Sequence, residues 1–132
     1  MLALLLLLVI GYAVRATQQS GNHPDRSTVS TVPAPLDPSS AVVALSSLPA
    51  AARHTVALIQ AGGPFPYARD GVVFRNAEHH LPAHPTGYYH EYTVATPGET
   101  DRGARRIIVG IGDEYYYTAD HYASFVRVDV SR

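Results

Sequence analysis

In the stretch GYYHEYTV, residues 87–94, a His and a Glu stand side by side among tyrosines in what otherwise reads as a strand. Either side chain can move protons in catalysis. Successive strand residues project to opposite faces, so His90 and Glu91 cannot both line one pocket, and a partner for either must come from elsewhere in the chain. With strict alternation, Tyr89, Glu91 and Thr93 share one face, and Tyr88, His90, Tyr92 and Val94 share the other. Tyr92 and Val94 mark the side that packs on a core. Glu91 is then expected on the open face, where a carboxylate has no structural reason to be unless it meets cations. The segment DRGARRII offers three: Arg102 in a turn, then Arg105 and Arg106 on opposite faces of the next strand. One of the latter two must share Glu91's face, and Arg106 precedes the apolar Ile108 by two residues. TADHYASF adds His121 at a loop-to-strand junction, a common place for binding and catalytic residues. A carboxylate, an imidazole and arginines on one sheet face make a metal-free kit for phosphoryl transfer by acid–base catalysis. From spacing alone, the same residues also fit an ordinary surface ion-pair network.

The elements that must hold these residues begin near Ala41. SSLPAAARHTVALIQAGG places Pro49 in a first turn, Ala52, Val56 and Ile59 on one face and Gly62 at the stop, which predicts a helix over 49–60. After the breaker GGPFPY come five short runs rich in β-branched and aromatic residues, separated by turn residues: 71–74, 88–95, 104–110, 114–118 and 122–130. One helix followed by a meander of antiparallel strands predicts an α+β domain over 41–132, with the helix on one face of a twisted sheet.

The residues before this domain read differently. The apolar run Leu2–Val14 is shorter than the roughly 20 residues of a membrane span and suits a secretory signal peptide over 1–16, with small residues at Val14 and Ala16 for cleavage. Left uncleaved, it would serve as an anchor. Residues 17–40, rich in Ser, Thr and Pro and without hydrophobic period, are expected to form a disordered linker. All ten basic residues are Arg, the net charge is −1, and there is no cysteine. A near-neutral balance disfavours a protein that coats nucleic acid through a broad basic surface, but it permits a local arginine cluster.

Taken together and in this order, GPFPYARDGVVFRNAEHHLP, GYYHEYTV, RGARRII and YYTADHYASF resemble the bacterial guanyl-specific extracellular ribonucleases of the barnase superfamily, particularly their small actinobacterial branch. The resemblance runs from about Leu45 to Asp129 and implies the microbial ribonuclease fold. It implies Glu91 as general base, His121 as general acid, and Arg102 and Arg106 as phosphate ligands. In FRNAEHH it implies a guanine-reading loop. There the Glu78 carboxylate accepts from guanine N1–H and the exocyclic amine, and backbone N–H groups near Asn76 and Ala77 meet O6. Asn76 holds the loop, and Phe74 with Tyr122 supplies ring surface. Two positions depart from the pattern: Ala77 stands where many relatives have Arg, and Arg75 replaces a neutral residue. The resemblance further implies single-stranded RNA as substrate, no cofactor or metal, a secreted monomer, and a barstar-like inhibitor protein as a partner. Relatives often carry a disulfide at positions that correspond here to Ala44 and Arg132.

Two rival readings compete. His80 and His84 have the i,i+4 spacing of a helical metal-ligand pair, but Pro82 and Pro85 break any such helix. The tyrosine-rich strands would also suit a non-catalytic sugar- or peptide-binding module tethered by an uncleaved N-terminus.

Overall fold

The computed structural model describes residues 41–132; the signal peptide expected over 1–16 and the linker expected over 17–40 lie outside the described residues. The elements in chain order are β1 (Val42–Ala44), α1 (Ala50–Ala61), β2 (Val72–Phe74), β3 (Tyr89–Thr93), β4 (Arg106–Gly110), β5 (Tyr115–Thr118) and β6 (Val126–Asp129), with a 3-10 turn over Leu45–Ser47. Pro49 sits at the cap of α1 rather than inside its first turn, one residue outside the expected position. The helix stops where a residue free to adopt positive φ is available. Gly62 has φ 77°, and its N–H and that of Gly63 return to the carbonyls of Ile59 and Leu58.

Five of the strands form the expected antiparallel meander, and β1 adds a sixth in the order β1-β6-β5-β4-β3-β2. β1 pairs in parallel with β6, Val43 opposite Val128, a pairing that the sequence does not announce. Three residues carry too little alternation to read, and a parallel partner more than eighty residues away leaves no turn signal between the two. β6 also begins at Val126 rather than at 122, because residues 119–125 form a loop.

The helix face of the sheet is the larger core. Ala52 and Val56 of α1 pack with Leu48, Val94, Ile107, Tyr115, Tyr117 and Val128, and Ile59, Tyr92 and Val109 border them. Burying side chains such as Val56 and Ile107 contributes about 1.5 to 3 kcal/mol each. One polar tie crosses this layer: the buried Thr55 hydroxyl donates to the Thr93 carbonyl at 3.0 Å, fixing α1 against β3.

The opposite face, expected to be open, is covered. The loops after β2 and β5 fold back to place Leu81 and Phe125 on Tyr89, Ile108 and Tyr116, with Phe74, Tyr88 and Tyr122 at the border. The β5–β6 loop is held by polar contacts around Asp120. Its carboxylate accepts the Thr118 hydroxyl at 2.8 Å, the Ser124 N–H at 2.9 Å and the Ser124 hydroxyl at 2.6 Å.

Two predictions follow from these ties. The Ser46 N–H donates to the Arg132 carbonyl at 3.0 Å, so the two ends of the described chain are held together by hydrogen bonds. Closing this loop of roughly 90 residues with a disulfide should add about 4 to 5 kcal/mol in the chain-entropy model, less any strain. Ala44→Cys combined with Arg132→Cys should therefore raise the thermal unfolding midpoint under oxidising conditions, and equal midpoints with and without reductant would refute the adjacency of those positions. At Asp120, the two Ser124 contacts, followed by the Thr118 hydroxyl, hold the carboxyl down at about 2 against an ordinary 3.8. A depressed carboxylate stabilises the fold above its ordinary value and loses that contribution as pH falls toward the depressed one. Asp120 is exposed, so solvent screening reduces the contribution, and Asp120→Asn should lower the midpoint at pH 7 by a few degrees at most, at roughly 4 to 8 °C per kcal/mol for a domain of this size. The gap from wild type should close between about pH 4 and pH 2. A gap that persists unchanged to pH 2 would show that the charge on Asp120 does not hold the loop.

Candidate active site

Glu91 lies mid-β3 with Val72 of β2 and Ile108 of β4 in register on either side, and is only 5% exposed. A carboxylate so placed must be paired, because a buried unpaired charge costs several kcal/mol. Its Oε1 receives Arg102 Nη2 at 3.1 Å and faces Arg69 Nε at 3.8 Å. Its Oε2 accepts the Tyr122 hydroxyl at 2.7 Å. Burial, and then the hydrogen bond to Glu91, push the Tyr122 phenol above its ordinary range, so it remains a donor.

Both other arginines of the cluster are fixed by backbone and hydroxyl groups. Arg102 Nε donates to the Thr93 hydroxyl at 2.9 Å, and the Asp101 carboxylate accepts from the Gly103 N–H at 2.8 Å to shape the turn that carries it. Only glycine fits after Arg102. Gly103 has φ 56°, and a Cβ there would lie 2.6 Å from the Thr96 hydroxyl oxygen. Arg106 shares Glu91's face, which answers the choice between Arg105 and Arg106. It is 4% exposed, and its Nη1 donates to the carbonyls of Arg102, Gly103 and Arg105 at 3.1, 2.9 and 2.8 Å. Its Nε is buried with no acceptor among the described residues, and its guanidinium carbon stands 5.8 Å from the Tyr122 ring centroid.

His121 precedes Tyr122 in the β5–β6 loop, and both take positive φ, 53° and 71°. Backbone strain of this kind persists only where the surroundings impose it. Here the Thr118 hydroxyl accepts from the Tyr122 N–H at 3.1 Å, and the His121 N–H donates to the Ala104 carbonyl at 3.2 Å. The second bond joins the His121 loop to the arginine loop. The imidazole is exposed, with no hydrogen-bond partner among the described residues.

A second region adjoins this cluster through ring contact. Phe74, at the end of β2, stacks on Tyr122 with centroids 5.2 Å apart. The loop that follows turns at Asn76, buried with φ 51°, whose amide donates to the Leu81 carbonyl at 2.9 Å while its side-chain oxygen accepts from the Leu81 N–H at 3.0 Å. Asn76 is therefore a clip, and Leu81 anchors that clip in the aromatic layer. Arg75, Ala77 and Glu78 stand exposed on the loop, and among the described residues the N–H groups of Asn76, Ala77 and Glu78 donate no hydrogen bond. The result is a short row of backbone donors beside a free carboxylate and an aromatic platform.

The structure thus brings Glu91, Arg102, Arg106 and Tyr122 into one cluster, sets His121 on the adjoining loop, and places Phe74 to Glu78 alongside. Sequence reasoning missed Arg69, and it assigned Tyr122 only a ring surface where the hydroxyl also holds Glu91. The signal for Arg69 is slight: ARDG puts a cation one turn before a strand, with nothing to indicate that the strand pairs with Glu91. His80 and His84 are not a ligand pair. His84 lies flat on Tyr88, 3.7 Å between centroids, whereas His80 approaches Phe125 at 6.3 Å. His90 Nδ1 donates to the Gly71 carbonyl at 2.9 Å, a packing role on the edge of β2.

Known proteins place this arrangement. Guanyl-specific ribonuclease Sa3 of Kitasatospora aureofaciens is 67% identical over 88 residues, a match that covers 66% of this chain and 62% of that relative, so the chain spans less than two thirds of its length. Guanyl-specific ribonuclease St of Saccharopolyspora erythraea is 59% identical over 83 residues, covering 63% of this chain and 82% of the relative. Among solved structures, ribonuclease Sa2 with guanosine-2'-cyclophosphate superposes with a TM-score of 0.67 at 50% identity, over 70% of this chain and 99% of that one. A model of the ribonuclease family matches residues 33–129, a span that includes the Glu91 cluster, the His121 loop and the Phe74–Glu78 loop, and the chain belongs to that family.

Proposed function

We propose that this protein is a guanyl-preferring endoribonuclease that cuts single-stranded RNA outside the cell. The observation that carries the reading is the buried Glu91 carboxylate beneath Arg102 and Tyr122, with His121 exposed on the adjoining loop. The guanyl specificity of its relatives supports the choice of base, and the apolar run Leu2–Val14 supports export.

In this reading Glu91 takes the proton of a ribose 2′-hydroxyl, whose oxygen attacks the adjacent phosphorus. His121 gives a proton to the departing 5′-oxygen, and a 2′,3′-cyclic phosphate forms. In the second step His121 takes a proton from water, the hydroxide opens the ring, and Glu91 returns its proton to the 2′-oxygen, leaving a 3′-phosphate. Arg102 and Arg106 balance the charge that builds on the phosphoryl oxygens. Glu78 accepts from the guanine N1–H and amine, the N–H groups around Ala77 meet O6, and Phe74 with Tyr122 carries the base, stacking being worth about 1 to 3 kcal/mol.

Residues 41–132 should cut RNA on the 3′ side of guanosine in excess EDTA, since every proton in the scheme is moved by a side chain; activity abolished by chelator would sink the scheme. Glu91→Gln and His121→Ala should each lower kcat by about 10²- to 10⁴-fold. A near-normal rate in either variant would remove that residue from the chemistry. Glu78→Ala should erase discrimination between guanine and adenine more than it slows cleavage, because a site built on hydrogen bonds rejects analogues that leave its polar groups unpaired. The measurement is the ratio of kcat/KM for GpN and ApN dinucleotides, and an unchanged ratio would place base reading elsewhere.

A further inference from the structure

Three guanidinium groups stand around Glu91, and they are not held alike. Arg102 is tied to the Thr93 hydroxyl, and Arg106 is tied to three carbonyls, so neither can move without breaking buried bonds. Arg69 has one polar side-chain contact among the described residues, its 3.8 Å approach to Glu91 Oε1, and its side chain is 67% exposed. Its backbone, by contrast, is fixed beside β3. The neighbouring Asp70 carboxylate accepts from the Thr93 N–H at 2.7 Å and from the Tyr67 N–H at 3.3 Å, and the Gly71 N–H donates to the Glu91 carbonyl at 2.8 Å. A long, flexible cation on a fixed Cα at the mouth of the site can exchange partners with little reorganisation.

We propose that Arg69 is a transferable phosphate ligand: it rests on Glu91 in the free protein and passes to the phosphate when RNA binds. This rests on the ribonuclease reading above. A phosphate brought against Glu91 meets a like charge, and Arg69 already sits where that repulsion would arise. Its transfer adds a donor to the phosphate and takes a cation away from the carboxylate that must accept the 2′-hydroxyl proton. Because Arg69 must leave Glu91 to reach the phosphate, the ion pair opposes ligand binding, and the two residues are energetically coupled.

That coupling is measurable with the product-like ligand guanosine 3′-monophosphate, by calorimetry on wild type, Arg69→Gln, Glu91→Gln and the double variant. With Glu91 intact, Arg69→Gln should weaken binding by no more than about fivefold, since a half-screened ion pair is given up to make the new contact. In the Glu91→Gln background, the same change should weaken binding by about tenfold or more, the effect of losing a hydrogen bond to a charged group. Equal factors in both backgrounds, or no effect in either, would overturn the exchange. A second measurement avoids Glu91 variants altogether. With a single-stranded oligonucleotide whose guanosine is 2′-deoxy, the slope of log K against log salt should be shallower by about 0.7 in Arg69→Gln, the loss of one phosphate contact. An unchanged slope would likewise overturn the exchange. Wild-type protein that neither binds the nucleotide nor cuts RNA would instead bring down the ribonuclease reading, and this inference with it.

Discussion

A carboxylate in the middle of a sheet, between Val72 and Ile108, is the constraint around which the rest of this face is arranged. Left unpaired it would destabilise the sheet, because desolvating a charge costs far more than a single neutral hydrogen bond returns. The chain meets this with groups from three separate loops: Arg69 before β2, Arg102 before β4 and Tyr122 after β5. None of those loops has a regular structure that would hold it in place. Each is instead fastened by a small polar device, the Asp70 carboxylate, the Asp101–Gly103 turn and the Asp120–Ser124 contacts. The three acids serve the loops, which leaves Glu91 as the carboxylate in direct contact with the arginines.

Arg106 shows the same economy from the other side. Spending one nitrogen on three carbonyls is an unusual use of a guanidinium, and it makes the arginine loop a rigid cup whose rim is its own backbone. In the proposed reading that rigidity has an electrostatic value, since charge fixed beforehand need not be reorganised at the moment of reaction. Tyr122 links this cup to the base loop, since its hydroxyl reaches Glu91, one face of its ring lies near Arg106, and it stacks with Phe74. One side chain thus joins the Glu91 cluster to the aromatic platform, on a backbone held at φ 71°.

The sequence carried the periodic part of this structure and little of the non-periodic part. Helix α1 was legible from the spacing of Ala52, Val56 and Ile59, and strands β2 to β5 from runs of β-branched and aromatic residues set between turn residues. The face of Glu91 followed from alternation, whereas the choice between Arg105 and Arg106 as its companion was settled by the β3–β4 register. Strand β1 was not legible, since its pairing with β6 is parallel and distant, and neither was the burial of Glu91. That burial depends on Leu81 and Phe125 folding back from loops, and no local rule predicts where an irregular loop comes to rest. The roles of His121 and Glu78 came from resemblance rather than from spacing: each is an exposed residue on an aperiodic loop.

Exposure is informative about these last residues. Arg106 and Glu91 are both at or below 5% exposure, whereas Glu78 and Arg75 project from a loop held by the Asn76–Leu81 clip, by the His79 N–H on the Asn76 carbonyl and by the Tyr89 hydroxyl on the Pro82 carbonyl. In the proposed reading, the buried arginine cup and the exposed Phe74–Glu78 loop divide the work in a physically sensible way. Phosphoryl chemistry needs fixed charge at fixed distance, and base recognition needs edge donors and acceptors that a planar ring can slide between. Ala77 and Arg75, the two positions where the resemblance falters, lie on that exposed loop. Ala77 leaves only a methyl group there, and Arg75 adds an exposed cation beside the platform. Three guanidiniums against one carboxylate leave the cup with surplus positive charge, which in the proposed reading a phosphodiester anion balances. The same surplus is a source of instability when no anion is bound, because like charges held together in a partly desolvated site repel. Among the described residues, the polar ties that fasten each loop to the sheet are what the fold sets against that repulsion.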